Sequence, residues 1–347
     1  MVDARPGDLA NGDPANGTPR TVLVTGANGF IGSHVAARFL QAGYRVRGLV
    51  RANSDRTFLA GLDVELRHGD LADRASLAAA MPGVDVVVHV AGFASDWGPW
   101  ERFHTVNVLG TQHLAECAHA AGVRRFVHVS SASLHGFAGK RHMTEASPMP
   151  VSPYSYVESK RQAEAWLWQF AARSGMPTTV VRPGNVWGPR DHTFLQKYVA
   201  AIRKGQGGYI GGGRAWTCPV YVENLTALLL LVAEHPVAVG EAFLATDGLD
   251  IDWRTFTEAL CDACGLPKPR LSMPYWLGMV VATVMEGAYR LVRSRRDPLL
   301  TRYRIQNGGR DYHFSMRKAK VWLGFVPPVA LAEGLRRTAV WLRDHET

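Results

Sequence analysis

The sequence predicts a doubly wound α/β fold, a parallel sheet covered by helices on both faces, with a smaller, mostly helical C-terminal lobe. Three observations carry this expectation. Short β-branched runs alternate with helical patterns from Thr21 to about residue 185. The first strand runs into a glycine-punctuated turn that opens a helix. Beyond Gly184 the texture changes to helices separated by scattered proline and glycine.

Taken in order, Thr21–Thr25 (TVLVT) is a buried strand, and Ile31 to Leu40 carries apolar residues at helical spacing until Gly43 ends it. RVRGLVR at 45–51 is the second strand, and VELRHGDLAD at 64–73 contains the third. VDVVVHVAG at 84–92 is a nearly unbroken apolar run, as expected of a parallel strand covered on both faces. RRFVHVSSAS at 124–133 and TTVVRPGNV at 178–186 supply strands five and six. Further on, 194–205 and 218–235 read as helices, EAFLATDG at 241–248 as one more strand, and 253–264, about 275–293 and 329–345 as helices. The expected division is a sheet domain over 20–185 plus about 219–247, and a second lobe over 186–218 plus about 248–347.

Composition narrows the function. The 347 residues are 47% hydrophobic and 20% charged, ordinary for a globular protein with a large core. A net charge of +9 attracts anions without choosing among them. The basic residues are spread along the chain with no nucleic-acid motif, which argues against nucleic acid as a partner. No apolar stretch approaches the ~20 residues that span a bilayer. The opening MVDARPGDLANGDPANGTP has no apolar run and reads as a disordered extension without a secretory signal, so the expected location is cytoplasmic. The four cysteines, Cys117, Cys218, Cys261 and Cys264, form no disulfide framework, and the lone CDAC reads as buried helix cysteines rather than a metal or redox site.

TGANGFIG places Gly26, Gly29 and Gly32 between a strand and a helix. The first glycine permits a tight turn, the second a close approach to a pyrophosphate, and the third close packing of helix on strand. The helix start offers free N–H groups and partial positive charge to phosphates. The cofactor expected is a nicotinamide dinucleotide. At the end of strand two stands Arg51, whose guanidinium suits a 2′-phosphate, so NADP(H) is favoured. Asp55 keeps NAD(H) open through the ribose hydroxyls. Asp70, after strand three, is either an adenine contact or a turn aspartate.

PYSYVESKRQAEAW at 153–166 carries the chemistry. On a helix, Tyr156 and Lys160 are one turn apart on the same face, whereas Tyr154 points elsewhere. A cation lowers a phenol's pKa, and the expectation is that Lys160 makes Tyr156 a usable proton donor or acceptor. Ser130 and Ser131 end strand five, at the edge of the sheet where ligands bind. Ser131 is the chosen partner for the substrate oxygen, with Ser133 in reserve.

The order TGxxGxxG, DL, SS, YxxxK and RPGNVWGP resembles the extended short-chain dehydrogenase/reductase family across residues 20–345. YVENL at 221–225, WGPWERFHTVNVLGT at 97–111 and DPLLTRYRI at 297–305 are similar to its 3β-hydroxysteroid dehydrogenase-like branch. The resemblance implies a Rossmann domain with a small substrate lobe and a catalytic set of Ser131, Tyr156 and Lys160. It implies cofactor contacts at Gly26, Asn28, Gly29, Phe30, Ile31, Gly32, Asp70, Leu71, Ala91, Gly92, Pro183, Gly184, Asn185 and Val186, with Tyr156 and Lys160 touching the cofactor as well. Asn107 in NVLGT is more often structural in such proteins.

The resemblance points to a small-molecule substrate. Many extended members hold a sugar nucleotide through an arginine that grips the diphosphate. Here Thr217 stands at that register in GGGRAWTCPVYVENL, with Arg214 the nearest substitute. The leading expectation is therefore an NAD(P)-dependent oxidoreductase interconverting a secondary alcohol and a ketone on a lipophilic molecule, sterol-like, alkyl or polyketide-like. A nucleotide-sugar epimerase or dehydratase with transient hydride transfer is the alternative, and a non-catalytic dinucleotide-binding protein the third reading. MPYWLGMVVATVMEGAYRLVRSRR at 273–296 is apolar, then strongly basic, and is read as a pocket or core helix, a peripheral membrane contact, or a homodimer face.

Overall fold

The structure, a computed structural model, describes residues 19–292, 294 and 296–345. The extension expected to be disordered lies outside the described residues up to Thr18.

Seven parallel strands form the central sheet: β1 (Thr21–Thr25), β2 (Arg45–Val50), β3 (Val64–His68), β4 (Val86–His89), β5 (Arg125–Val129), β6 (Thr178–Pro183) and β7 (Ala242–Ala245). Their spatial order is β7-β6-β5-β4-β1-β2-β3, so the winding reverses between β1 and β4, where Val22 pairs with Val46 on one side and Val86 on the other. Alternating side chains explain the two covered faces. Val22 and Val24 point into one cluster with Phe39 and Leu229, from helices α1 (Phe30–Gln41) and α6 (Val222–Glu234). Leu23 points the other way, among Leu114 and Leu167 from α3 (Gly110–Ala120) and α4 (Ser155–Ser174); α2 (Arg74–Ala80) adds Leu77 there.

The segment leading into α3 opens at Trp100 and is widened to a π-helix over His104–Leu109. This local widening places Asn107 as a clamp: it accepts from Phe93 N (2.7 Å) and donates to Ser159 Oγ (2.9 Å).

The second lobe has its own core, in which Trp187, Tyr221, Phe256 and Leu335 meet. Around it lie α5 (Leu195–Arg203), α7 (Trp253–Cys264) and α11 (Leu331–Asp344). The rest of the C-terminal segment forms α8 (Tyr275–Leu291), α9 (Arg302–Gly309) and α10 (Arg317–Leu323), whose Ala319 and Leu323 join the cluster of Val22, and the described residues also form four two-stranded ribbons. Two expectations need correction. The segment expected as one helix over 218–235 opens with a strand at Pro219–Tyr221, paired in parallel with Asn185–Trp187, before α6 begins at Val222. Helices α9 and α10 were not anticipated, because their sequences bury few side chains and carry little apolar period; in α9 only Ile305 is buried.

Candidate active site

A parallel sheet puts every strand's C-terminal end on one edge, so the glycine turn after β1, Ala91–Gly92 after β4, Ser130–Ser131 after β5 and Gly184 after β6 line a common crevice at the winding switch. Gly26 adopts φ +65°, and a Cβ there would stand 3.1 Å from the Ala91 backbone. Gly32 is tighter still, since a Cβ would lie 2.0 Å from the Gly26 carbonyl oxygen. Gly29 caps α1 at φ −82° with only the Gly26 oxygen near its Cβ position, at 3.3 Å. Gly29 is thus not needed for local packing and leaves the start of a 12-residue helix open to an anion. Together with half-buried Asn28 and Ile31 and the exposed Gly92, these features fit a bound dinucleotide.

Other expected cofactor residues differ in surroundings. Arg51 is exposed at the end of β2. Asp55 is tied back onto Thr57, whose hydroxyl (2.6 Å) and N–H (2.9 Å) hold its carboxyl below the usual range, while its carbonyl accepts from Asn28 Nδ2. Asp70 is exposed and accepts from Ala72 N at 2.9 Å, a turn role, and Leu71 beside it is buried against Gly110. Pro183 is buried, with Gly184 pressed so close to Cys218 that a Cβ would lie 2.3 Å from its carbonyl oxygen. Asn185 donates to Thr217 Oγ1 (3.0 Å) and exchanges a bond with Asn307, and Val186 joins it in lining a cavity.

Ser131 and Tyr156 line that same cavity, of about 490 Å³. The two serines divide their work. Ser130 donates to Glu164 Oε2 (2.6 Å) within a buried ion pair, whereas Ser131 caps the next turn, accepting from Ser133 N (3.2 Å), and faces the cavity. Tyr156 lies in the first turn of α4, while Tyr154 precedes the helix and packs on Phe137 and Tyr303.

Burial pushes the Tyr156 phenol up, and the Ser131 hydroxyl beside it pulls the other way. The lysine stem runs beneath the helix to the sheet edge, where Nζ donates to the Val129 carbonyl at 2.8 Å and lies 3.6 Å from the Cβ position of Gly92. Burial lowers the Lys160 ammonium to about 8, with Glu164 opposing.

Several cavity residues escaped the sequence reading. Tyr303 and Tyr312 come from the C-terminal lobe, and both phenols are pushed above their ordinary range by burial. Arg304 and Thr301 reach back across more than 200 residues to Asp96, which closes α9 over the strand ends. Aromatic enrichment in TRYRIQNGGRDYHF was the available signal, but partners so distant in sequence leave no local pattern. Arg214, the suggested clamp, is exposed and does not line the cavity.

Comparison with known proteins agrees with this architecture. Residues 22–245 match the model of the NAD dependent epimerase/dehydratase family. The 4-hydroxy-2-methyl-3-oxo-4-farnesyl-3,4-dihydroquinoline-1-oxide ketoreductase of Stigmatella aurantiaca is 32% identical over 316 residues, 90% of this chain and 94% of that one. The 3 beta-hydroxysteroid dehydrogenase/Delta 5-->4-isomerase of Mycobacterium tuberculosis (strain CDC 1551 / Oshkosh) is 33% identical over 328 residues, 88% of this chain and 86% of that one. Among solved structures, DesIV, a dTDP-glucose 4,6-dehydratase from Streptomyces venezuelae with NAD bound, is 27% identical with a TM-score of 0.76, covering 94% of this chain and 97% of that one. The chain therefore belongs to the NAD-dependent epimerase/dehydratase family, the extended short-chain dehydrogenase/reductases, and is an NAD(P)-dependent dehydrogenase/reductase.

Proposed function

We propose that the protein interconverts a secondary alcohol and a ketone on a lipophilic small molecule, sterol-like, alkyl or polyketide-like, with NADP(H) favoured over NAD(H). One observation carries the reading. Aromatic side chains, Phe194, Tyr198, Tyr209, Trp253 and Tyr303 among them, form about a third of the wall of the cavity bearing Tyr156 and Ser131; no arginine stands at Thr217 to grip a diphosphate, and the arginine that does line the cavity, Arg304, is paired with Asp96. The names of the ketoreductase and hydroxysteroid dehydrogenase relatives point the same way.

In this reading the nicotinamide supplies the hydride, and the chain supplies position and proton. Ser131 donates a hydrogen bond to the substrate oxygen, and the Tyr156 hydroxyl exchanges a proton with it. Lys160 holds the floor of the site through Val129 and presents its ammonium beside Gly92, where a ribose hydroxyl would lie. The Gly26–Gly32 turn would hold the dinucleotide, and the exposed Arg51 would pair with a 2′-phosphate. Residues 20–185 plus about 219–247 bind the cofactor, and 186–218 plus about 248–347 shape the substrate site.

Lys197, exposed at the cavity wall, favours a second reading as a nucleotide-sugar epimerase or dehydratase, because its ammonium suits a phosphate. A panel of sterol, alkyl and sugar-nucleotide substrates, followed by nicotinamide absorbance with each cofactor, decides between them. Net NADPH consumption with lipophilic ketones, abolished in Tyr156→Phe at unchanged cofactor affinity, is the expected result. Turnover of a sugar nucleotide without net consumption would overturn it.

A further inference from the structure

Helix α8 is turned outward in an unusual way. Its inward face is made of Gly278, Ala282 and Glu286, the buried residues of the helix. Its outward face is apolar: Trp276 is 67% exposed, Val280 54%, Val284 67% and Leu291 86%. At about 100° per residue these four, with Leu277 and Gly287, fall in an arc roughly 100° wide. Leu271 before the helix and Val292 and Leu299 after it are exposed as well. A water-facing stripe of this size on one helix is a mark of an interaction site.

Charge identifies what it meets. Glu286 is the only carboxylate between Pro274 and Arg296, and it is buried, accepting from Arg302 N (2.7 Å) and Arg302 Nε (2.9 Å). The helix runs directly into RLVRSRR, four arginines in seven residues, of which Arg290 and Arg296 are exposed. An apolar arc with a predominantly basic end, in which Asp297 is the one exposed carboxylate next to the arginines, is the pattern of a helix lying in a lipid interface rather than crossing it. Among the described residues no helix is long and apolar enough to cross a membrane. A second copy of the chain would bring the same arginines and the same net +9 to the contact, whereas an anionic bilayer brings the opposite charge. Glu286, Tyr289 and Arg290 of this helix also line a second cavity, which shares Ser95, Asp96 and Asp297 with the one holding Tyr156.

We propose that α8 and the basic segment after it dock the protein on an anionic phospholipid surface. The inference stands apart from the proposed chemistry, because its test reads binding and not turnover. The full chain is co-sedimented with phosphatidylcholine vesicles, with and without phosphatidylglycerol, at low and high salt. Binding is expected only to the anionic vesicles, weakened at high salt, and lowered about tenfold or more in Val280→Asp/Val284→Asp. Leu291→Ser/Val292→Ser, at two highly exposed positions, gives the same loss should the first variant melt early. Wild-type protein left in the supernatant with anionic vesicles, or variants that melt normally and bind undiminished, would overturn the proposal. So would a wild-type dimer in analytical ultracentrifugation that the same substitutions split, since the face would then belong to a second copy.

Discussion

The Lys160 ammonium, fully inside the protein, reaches the Val129 carbonyl at 2.8 Å, and its pKa falls to about 8. Keeping it charged there costs stability. The unfolded chain binds this proton up to about pH 10.5, so the cost is full below pH 8 and fades between pH 8 and 10.5. Lys160→Met should therefore be more stable than the parent at pH 7, by about 1–3 kcal/mol in urea unfolding. Its advantage should shrink toward pH 10, and its turnover should fall about a hundredfold or more. A variant less stable at pH 7, or an advantage that ignores pH, would contradict this account.

Beneath the same residues, Arg182 Nε donates to Glu164 Oε1 (3.0 Å) and Oε2 (3.2 Å), and Ser130 and Trp168 Nε1 complete the carboxylate. Both side chains are almost wholly buried. Glu164→Ala strands the guanidinium and should cost about 3–5 kcal/mol, whereas Glu164→Leu/Arg182→Met should lie close to the parent. Urea unfolding of the two variants checks the asymmetry. Equal losses in both would mean that the pair itself carries net stability.

These two relationships mark where sequence reading reaches its limit. The sheet was legible because parallel strands buried on both faces leave apolar runs such as VVVH, and because Gly26, Gly29 and Gly32 punctuate one turn. Tyr156 and Lys160 were legible as a pair because a helix fixes the i, i+4 relation. The direction of the lysine was not, since its partner is the backbone at the end of β5, 31 residues away. Tyr303 and Tyr312 were missed for the same reason. Tyr303 belongs to the helix that Arg304 and Thr301 tie to Asp96, and Tyr312 to a short strand paired with Lys140–Met143, contacts made by folding and not by spacing. The strand Pro219–Tyr221 is three residues long, too short for any period to show.

The glycines of the first turn separate packing from binding. Gly32→Ala forces a methyl to 2.0 Å from the Gly26 oxygen and should disrupt the turn, lowering both melting temperature and cofactor affinity. Gly29→Ala meets only that oxygen, at 3.3 Å, in an ordinary backbone conformation. It should melt within about 0.5–1 kcal/mol of the parent yet bind the dinucleotide at least about tenfold more weakly, because the added methyl occupies the pyrophosphate approach. Calorimetric titration with NADPH and NADH beside a thermal melt checks both. Undiminished affinity in Gly29→Ala would remove the turn from the cofactor site.

A pair of histidines in the sheet sets the acid limit of the fold. His89 is held between Thr25 Oγ1 (2.8 Å) and Thr111 Oγ1 (3.0 Å), while His128, ring centroids 5.2 Å away, is buried with neither ring nitrogen hydrogen-bonded. Burial, helped by the Lys160 charge, lowers His89 to about 3 and His128 well below its ordinary 6.5. The unfolded chain gains protons at these rings near pH 6.5 and the folded chain does not, so stability present above pH 6.5 is lost as pH falls toward 3. Thermal melts should decline through that window, with His34, lowered to about 4 by burial, adding to the slope. His128→Leu removes a buried polar ring without breaking a hydrogen bond. It should stabilise the fold by about 1–2 kcal/mol at pH 7 and make the acid decline shallower. His89→Leu removes one hydrogen bond from each of two threonine hydroxyls, which keep Val90 N and Ala91 N (Thr25) and the Asn107 carbonyl (Thr111) as partners, and should destabilise it by about 1 kcal/mol at the same pH. A His128→Leu protein that melts lower than the parent at pH 7, or keeps the full acid slope, would show that the ring is satisfied or protonated in the fold.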